Sequence, residues 1–585
     1  MAAIISEKFR IFNAKQFLES LGEAEATNMY FFVGRSSKWD VYIELHNISG
    51  TFQVGESVSG GGWTATVAEV HANSLLCSNV LPTATTTPSW GTTITGGTSS
   101  ATGVSSIYRY ATEEIPPLPL DNQSEKQSVY NELIAAKRIN SDAARLVIPR
   151  YNWNTQVNPK FDMYRPNYSA TPAGGGSIGK QTALGNNGLT SAKFYVMNNT
   201  YEVFKCLYNG ESPANPTGVN VVDEPKSNPT AGQGTFANGV FISENGNYIW
   251  KHLFTLPTGD VLAFLSTDFL PIAASGETSR VAVEGLAVDG AIHVAVVKDA
   301  GAGLPTSDTY YSKIIGDGTG GIVKFTTDGS GSITGASIEA AGSGYTYGNV
   351  LLEQGNVFTD AAATAPVGTV NASSTGSIEA IISPEGGQGS NADAELFGKR
   401  VMTNIRLTYD EGQGDFPVDN DFRRIGIIQD PTTWGTTAKA TSLTVRGTYV
   451  VKINNHTADY VVDEVISQAN AGGTSKGTVV SWDSTDGILK YYQSPDVHTS
   501  GGKVHAFAAD ATVAIVGATS TASGTVDTAT GTVGTPVVVT DISFVEGLSN
   551  PEIEPNSGDI VYIENRRQIT RAPDQIEDIK LVIEF

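Results

Sequence analysis

VYIENRRQITRAPDQIEDIKLVIEF, residues 561–585, is the stretch that decides how the rest of the chain is read. Ile579, Leu581, Ile583 and Phe585 alternate with Lys580, Val582 and Glu584, the period of a strand with one face on a core. Just upstream, Ile560, Tyr562 and Glu564 alternate with Val561 and Ile563. Asn565, Arg566, Arg567 and the turn signal Ala572-Pro573-Asp574 follow. This predicts two strands joined by a charged connection, with Phe585 itself in the core. A terminus held in a sheet in this way is not expected to tolerate change.

Composition extends the β reading outward. A chain of 585 residues is too long for one hydrophobic core, so three or more domains, or a body with large insertions, are expected. The 63 glycines, with abundant Thr, Val, Ser and Asn, favour short strands and turns. With 37 basic against 60 acidic residues, a net charge of -23 argues against a nucleic-acid surface, which needs clustered Lys and Arg. Cys77 and Cys206 fall in different blocks and read as buried free thiols in a reducing compartment, with no zinc spacing. Glu7, Lys8 and Arg10 stand where a signal peptide needs an apolar run, so the chain is expected to be cytosolic when made. No run approaches the ~18 apolar residues of a membrane span.

The text alternates between two styles. Residues 7–22 predict a helix with Phe9, Ile11, Phe12, Phe17, Leu18 and Leu21 as its apolar positions and Gly22 as its cap. Residues 122–146 also have helical spacing, at Val129, Leu133, Ile134 and Ala136. SGTFQVGESVSGGGWTATVAEV and WGTTITGGTSSATGVSSI share a cadence with ADYVVDEVISQANAGGTSKGTVVSW and KVHAFAADATVAIVGATSTASGTVDTATGTV downstream. These read as four copies of a small β unit. HVAVVKDAGAG, ASIEAAGSGYTYGNV and IEAIISPEGGQGSNADAELFG each run a strand into a glycine turn. The expected fold is mainly β: a discontinuous β-sandwich body with a few short helices and several inserted small all-β domains. Body segments are placed at 1–46, 109–280, 395–458 and 541–585. Insertions are placed at 47–108, 281–394 and 459–540, since loop closure costs little more as a loop lengthens.

Catalytic chemistry finds little footing. GGGSIGKQT, residues 174–182, has Gln181 where a phosphate loop needs Ser or Thr, and lacks the strand and helix that would aim it. No histidine pair has metal or nucleophile-activating spacing; His252, in an aromatic strand, reads as structural. Asp410, Glu411, Asp415, Asp419 and Asp421 read as a solvated acidic turn beside Arg423 and Arg424, with calcium or a glycosidase pair as rival readings. No catalytic, cofactor-binding or metal-ligating residue is therefore assigned. Arginines beside aromatic strands mark interfaces more often than active sites. The candidate interface or fold-locking set is Arg150, Trp153, Arg423, Arg424, Tyr562, Asn565, Arg566, Arg567 and Asp574.

SEKFR, FFVGRSSKW, IPRYNW, YEVFKCL, GNYIWKHLFTLP, DFRRIGIIQDP and GDIVYIENRRQITRAPDQIEDIKLVIEF occur in this order from Ser6 to Phe585. With these motifs the chain resembles the baseplate wedge subunit, gene 8 product type, of T-even-type contractile-tailed bacteriophages. The three repeat-rich insertions have no counterpart in shorter members and look like those of cyanophage-like members. The resemblance implies a non-enzymatic virion protein of the tail baseplate, made in the host bacterial cytoplasm. It further implies a homodimer within each wedge, contacts with other wedge subunits and rearrangement when the sheath contracts; the inserted β units are candidates for extra wedge contacts or for attaching tail-fibre proteins. The charged segment before the terminal strand would hold the fold or a neighbour. A rival reading is a glycan-binding adhesin or fibre-type tail protein, with Trp63, Trp90 and Trp482 as its platform.

Overall fold

The structure, a computed structural model, describes residues 4–23, 27–35, 41–81, 88–110, 116, 118–119, 121–153, 160–165, 188–370, 375–407, 422–494, 498–501, 503–567 and 577–585. It is mainly β, with a few short helices. The chain forms two compact units. One contains Met1–Glu19, Ala144–Asn404 and Lys580–Phe585, the other Ser20–Ala143 and Ile405–Ile579.

The second unit is built on a five-stranded antiparallel sheet in the order Thr444–Arg446, Leu133–Ile139, Met29–Gly34, Arg424–Gln429, Asp559–Asn565. Met29–Gly34 reads MYFFVG and is buried along its whole length, as an unbroken apolar run in a central strand should be. Tyr30, Phe32, Val129, Leu133, Ala136 and Ile428 share one core. Gly426 has to be glycine: a Cβ there would lie 2.5 Å from the Phe32 ring and 2.1 Å from the Tyr562 carbonyl oxygen. The helix expected over 122–146 stops early. Gln123–Asn131 is helical with Asn122 as its cap, but Leu133–Ile139 and Ala144–Pro149 are strands. Leu133, Ile134, Ala135 and Ala136 are all buried, so this run serves the sheet rather than one helical face.

The repeats of this unit make two barrels instead of four small units. Val41–Ser49, Ser57–Gly60, Trp63–His71, Ser74–Leu81, Thr93–Gly96 and Thr102–Tyr110 close in the ring order first, fourth, third, second, fifth, sixth. Tyr449–Asn454, Val465–Asn470, Gly473–Asp483, Ile488–Tyr492, Ile515–Gly517 and Ser523–Val526 close in the same ring order. Each block read as a unit supplies only part of a ring, and a partial ring cannot bury its apolar face or satisfy its edges. The first barrel lies between Met29–Gly34 and Leu133–Ile139, and the second between Thr444–Arg446 and Asp559–Asn565.

In the first unit a five-stranded sheet runs Tyr195–Met197, Glu202–Tyr208, Ile249–Thr255, Val240–Ile242, Thr235–Ala237. Phe204, Cys206, Phe241 and Trp250 line its core, together with Val294, Val296 and Ile381 from the paired strands Ile292–Asp299 and Ser377–Ile382. The same two strands turn Ile292, Ala295, Val297 and Ile378 toward a second core containing Tyr310, Val323 and Phe325. The glycine-rich block thus shares its apolar interior with the aromatic sheet. The helix Glu7–Ser20 buries Ile11 and Ala14, while Phe9 and Phe12 stay exposed.

Residues 559–585 form the two expected strands, in two different sheets, but Phe585 is not in the core. Asp559–Asn565 joins the five-stranded sheet beside Arg424–Gln429, whereas Glu577–Glu584 lies beside Arg400–Leu407 in a sheet that continues to Ala144–Pro149 and Phe269–Pro271. The two strands are not a hairpin; their connection is far longer than hairpin loops require. Ile579 and Leu581 are buried, but Phe585 is half-buried, because Glu577–Glu584 is an edge strand. Phe585 packs its ring 5.5 Å from that of Phe17 and donates its N–H to the Lys399 carbonyl at 3.1 Å.

Candidate functional site

Four members of the predicted set, with Tyr562 close by, meet on two adjacent strands and a helix. Arg424 begins its strand opposite Asn565 and is only 3% exposed. Its Nε donates to Asn565 Oδ1 at 3.0 Å, and its Nη1 donates to Ser128 Oγ at 2.6 Å and Glu132 Oε2 at 3.2 Å. Its Nη2 donates to Glu125 Oε1 at 2.6 Å. Glu125 and Ser128 sit one turn apart on Gln123–Asn131 and Glu132 caps it, so helical spacing presents all three to one guanidinium. Arg35 Nη1 donates to the other oxygen of Glu132 at 2.9 Å. Arg423 donates its N–H to the Arg35 carbonyl at 2.9 Å and accepts the Arg566 N–H at 2.7 Å. Arg566 Nε and the Tyr562 hydroxyl both donate to Glu564, at 3.1 and 2.6 Å. Burial and the Glu564 carboxylate together raise the Tyr562 pKa above its ordinary value. Arg567 is exposed. Asp574, the acidic turn from Asp410 to Asp421 and the glycine loop 174–182 lie outside the described residues.

Arg150 and Trp153 belong to the first unit. Arg150 Nη1 donates to the Ser266 carbonyl at 2.6 Å and Nε to Asn152 Oδ1 at 2.9 Å. Trp153 is buried, its ring stacked 6.1 Å from Phe161. His252 is buried against Phe204, its Nε2 3.2 Å from Thr255 Oγ1, and burial holds its pKa below the ordinary imidazole value. Cys77 and Cys206 are buried thiols outside any disulfide, and the Cys206 thiol donates to the Tyr208 carbonyl at 3.4 Å. The proposed aromatic platform is not one. Trp63 is in the first barrel's core, and Trp482 is half-buried, donating to Asp459 Oδ1 at 2.9 Å. Trp90 alone of the three is open, at 76%. Trp63 fills the barrel because its strand turns alternate residues inward, a parity that composition does not reveal.

Two groups of buried charges were not singled out from the sequence. In the first unit Lys205, fully buried, pairs with Glu395 and lies 4.1 Å from the centre of the Tyr164 ring. Burial pushes the Lys205 pKa down and Glu395 opposes that shift. Arg280 holds Asp393 through Nη1 and Nη2 at 2.8 and 3.1 Å, and Arg165 bridges Glu211 and Glu379. In the barrels a buried carboxylate is held without a cation. Glu56 accepts N–H groups from Gln53 at 2.7 Å, Thr98 at 3.0 Å and Ser99 at 2.9 Å, and the Ser99 hydroxyl at 2.8 Å. Burial alone would raise the Glu56 pKa, but these donors outweigh it and bring it to about 2. Glu464 accepts N–H groups from Val461 at 2.8 Å and from Thr519 and Ser520 at 2.9 Å, and the Ser520 hydroxyl at 2.6 Å. Its pKa is likewise lowered, burial again opposing the donors. The legible signal was Glu followed far downstream by Gly-x-Thr-Ser-x-Ala, twice.

The geometry joins strands and helix that are remote in sequence through hydrogen-bonded, largely buried polar groups. Hydrogen-bonded networks of this kind fix one arrangement of the chain. Among the described residues no group of three or more His, Cys, Asp and Glu side chains is placed to hold a metal ion. Among them, too, no helix is long and apolar enough to cross a membrane. Compared with models of known protein families and with curated proteins, the chain matches none.

Proposed function

We propose that this chain is a structural virion protein, a baseplate wedge subunit of a contractile phage tail, with no enzymatic activity. It is made in the bacterial cytoplasm and resides in the tail baseplate. There it pairs with a second copy of itself, with other wedge subunits and with tail-fibre proteins, and it takes part in the rearrangement that triggers sheath contraction.

One observation carries the reading. Several segments bearing the resemblance, scattered between Met29 and Asn565, are neighbours in the fold. FFVG, RRIGIIQ and VYIEN lie in three consecutive strands of one sheet, and YEVFKCL pairs antiparallel with IWKHLFT. A body assembled from distant segments, with folded additions in its connections, suits a rigid part that transmits movement between neighbours. Trp63 lies in the first barrel's core and Trp482 is half-buried against the second, which leaves Trp90 as the one open tryptophan of the three an adhesin would use.

The test is the copy number and position of the chain in purified particles. Two copies in each of six wedges, located at the tail tip, is the expected result. Its absence from particles that contain a complete tail would refute the proposal.

A further inference from the structure

We infer that residues 41–110 and 449–526 are two copies of one domain, duplicated within the chain and set into two different connections of the same sheet. What the copies retain is the machinery of the barrel itself.

A shared ring order could arise from any two barrels; shared detail at matched positions could not. Taken along the first two strands, Ile43, Leu45, Phe52, Glu56 and Val58 correspond to Val451, Ile453, Tyr460, Glu464 and Ile466, and all ten are buried. Along the last two strands, ITGGTSSATGVS at 94–105 faces IVGATSTASGTV at 515–526, and the two stretches have the same sequence of buried, half-buried and exposed positions. The strand registers agree as well: Ile94 pairs with Gly103 and Ile515 with Gly524. The hydrogen bonds around the two carboxylates recur. Gly96 N–H reaches the Ala101 carbonyl at 2.8 Å, and Gly517 N–H reaches that of Ala522 at 2.9 Å. Gly55 N–H meets the Val67 carbonyl at 2.7 Å, and Asp463 N–H meets that of Val479 at 2.9 Å. Val67 and Val479 return N–H groups to Glu56 and Glu464, each at 2.9 Å.

The identical residues are those that this arrangement demands. A Cβ on Gly96 would lie 2.4 Å from Ser99 Oγ and 2.7 Å from Glu56 Oε2. On Gly517 it would lie 2.4 Å from Ser520 Oγ and 2.6 Å from Glu464. Gly103 is closed off by Leu45 and Gly524 by the matching Ile453. Asn47 and Asn455 both have left-handed backbones, φ 50° and 54°, where Asn is the best-suited residue after Gly. Ser100 and Thr521 share that conformation at 55° and 56°. Exposed positions drift apart by contrast: the open Trp90 precedes the fifth strand of the first copy, and no tryptophan stands between His505 and Ile515 in the second.

Duplication makes a prediction that burial alone would reverse. Phe52 is buried, so Phe52→Tyr would ordinarily strand a hydroxyl in the core. In the second copy Tyr460 occupies that place and donates to the Ile515 carbonyl at 2.8 Å. The matching acceptor in the first copy is the Ile94 carbonyl. Hydrogen exchange on the full-length protein would compare Phe52→Tyr with Gly97→Ala/Ser100→Thr, which writes the second copy's turn into the first. Both are expected to keep amide protection across 41–110 within about threefold of the parent. A loss of about tenfold or more in either variant would overturn the common origin. As a second readout, Glu56→Gln should deprotect Gln53, Thr98 and Ser99, and Glu464→Gln should deprotect Val461, Thr519 and Ser520. Footprints that failed to match position for position would also refute it.

Discussion

Buried carboxylates of the first unit and of the two barrels are met by different groups. In the first unit Glu395 faces Lys205 while also accepting the N–H groups of Gly389 and Asn391 at 2.9 and 3.2 Å, and Asp393 faces Arg280, so an opposite charge takes part in each. In the barrels Glu56 and Glu464 are met by three backbone N–H groups and one hydroxyl each. A cation brings its own desolvation cost into the core, whereas a turn's N–H groups are already there and must be satisfied anyway. The contrast teaches that the ion pairs are costly to break singly, while the clasps tie a loop that would otherwise leave orphan donors.

The strongest test of the contrast is to remove one member of an ion pair. Glu395→Leu leaves Lys205 buried beside Lys251, its register partner, and without its counter-charge. Denaturant unfolding should show a loss of about 3–5 kcal/mol. Lys205→Met with Glu395→Leu should recover the part due to uncompensated charge, since an apolar pair of similar volume is often neutral or better, while the Gly389 and Asn391 N–H groups that Glu395 accepts stay unsatisfied in both variants. If the double variant were as unstable as the single one, geometry rather than uncompensated charge would be the cause.

Arg424 is intermediate between the two modes, since it meets carboxylates, a hydroxyl and an amide at once. Arg424→Met removes the guanidinium shared by Glu125 and Glu132, with Arg35 still on Glu132, and should cost about 3 kcal/mol. Hydrogen exchange should locate the loss at Gln123–Asn131 and Asp559–Asn565. A loss spread evenly over the chain would mean that Arg424 does not tie these two elements.

The sheet strands were readable because each carries an apolar run or a period-two alternation that only one secondary structure satisfies. Met29–Gly34, Glu202–Tyr208 and Ile249–Thr255 are of this kind. Leu133–Ile139 was misread because LIAAKRI fits a helix as well as a strand and only its neighbours decide. Of the candidate arginines, Arg423 and Arg424 are buried, but the partners of Arg424, Glu125, Ser128 and Glu132, come from a segment remote in sequence. The Glu56 and Glu464 clasps were hidden for a related reason: the carboxylate and the turn that holds it are separated by several strands, so no local pattern joins them.

In the barrels the expected effects are smaller and depend on pH. Glu56→Gln replaces an acceptor oxygen by an NH2 group facing N–H donors and should cost about 1–3 kcal/mol, with Glu464→Gln similar. The folded Glu56 pKa of about 2 lies below its ordinary 4.5. The unfolded chain therefore binds more protons between these values. The stabilisation from Glu56 is complete above pH 4.5 and is lost as pH falls toward 2. Thermal or exchange measurements from pH 5 downward should show this decline in the first barrel of the parent protein, and a shallower one there in Glu56→Gln.

Smallest of all should be the effect at an ion pair on the surface. Arg406 donates through Nε and Nη2 to Asp578 at 2.7 and 2.9 Å, a two-pronged contact as good in shape as any in the core. Its side chain is 54% exposed, so water already satisfies both partners when they part and salt screens what attraction remains. Arg406→Ala should change unfolding free energy by no more than about 0.5 kcal/mol, and raising the salt concentration should erase the difference. A loss as large as that of Glu395→Leu would show that contact geometry governs these pairs. A null result beside a large one at Glu395 would assign the difference to desolvation, the quantity that separates the ion-paired core from the donor-held barrels.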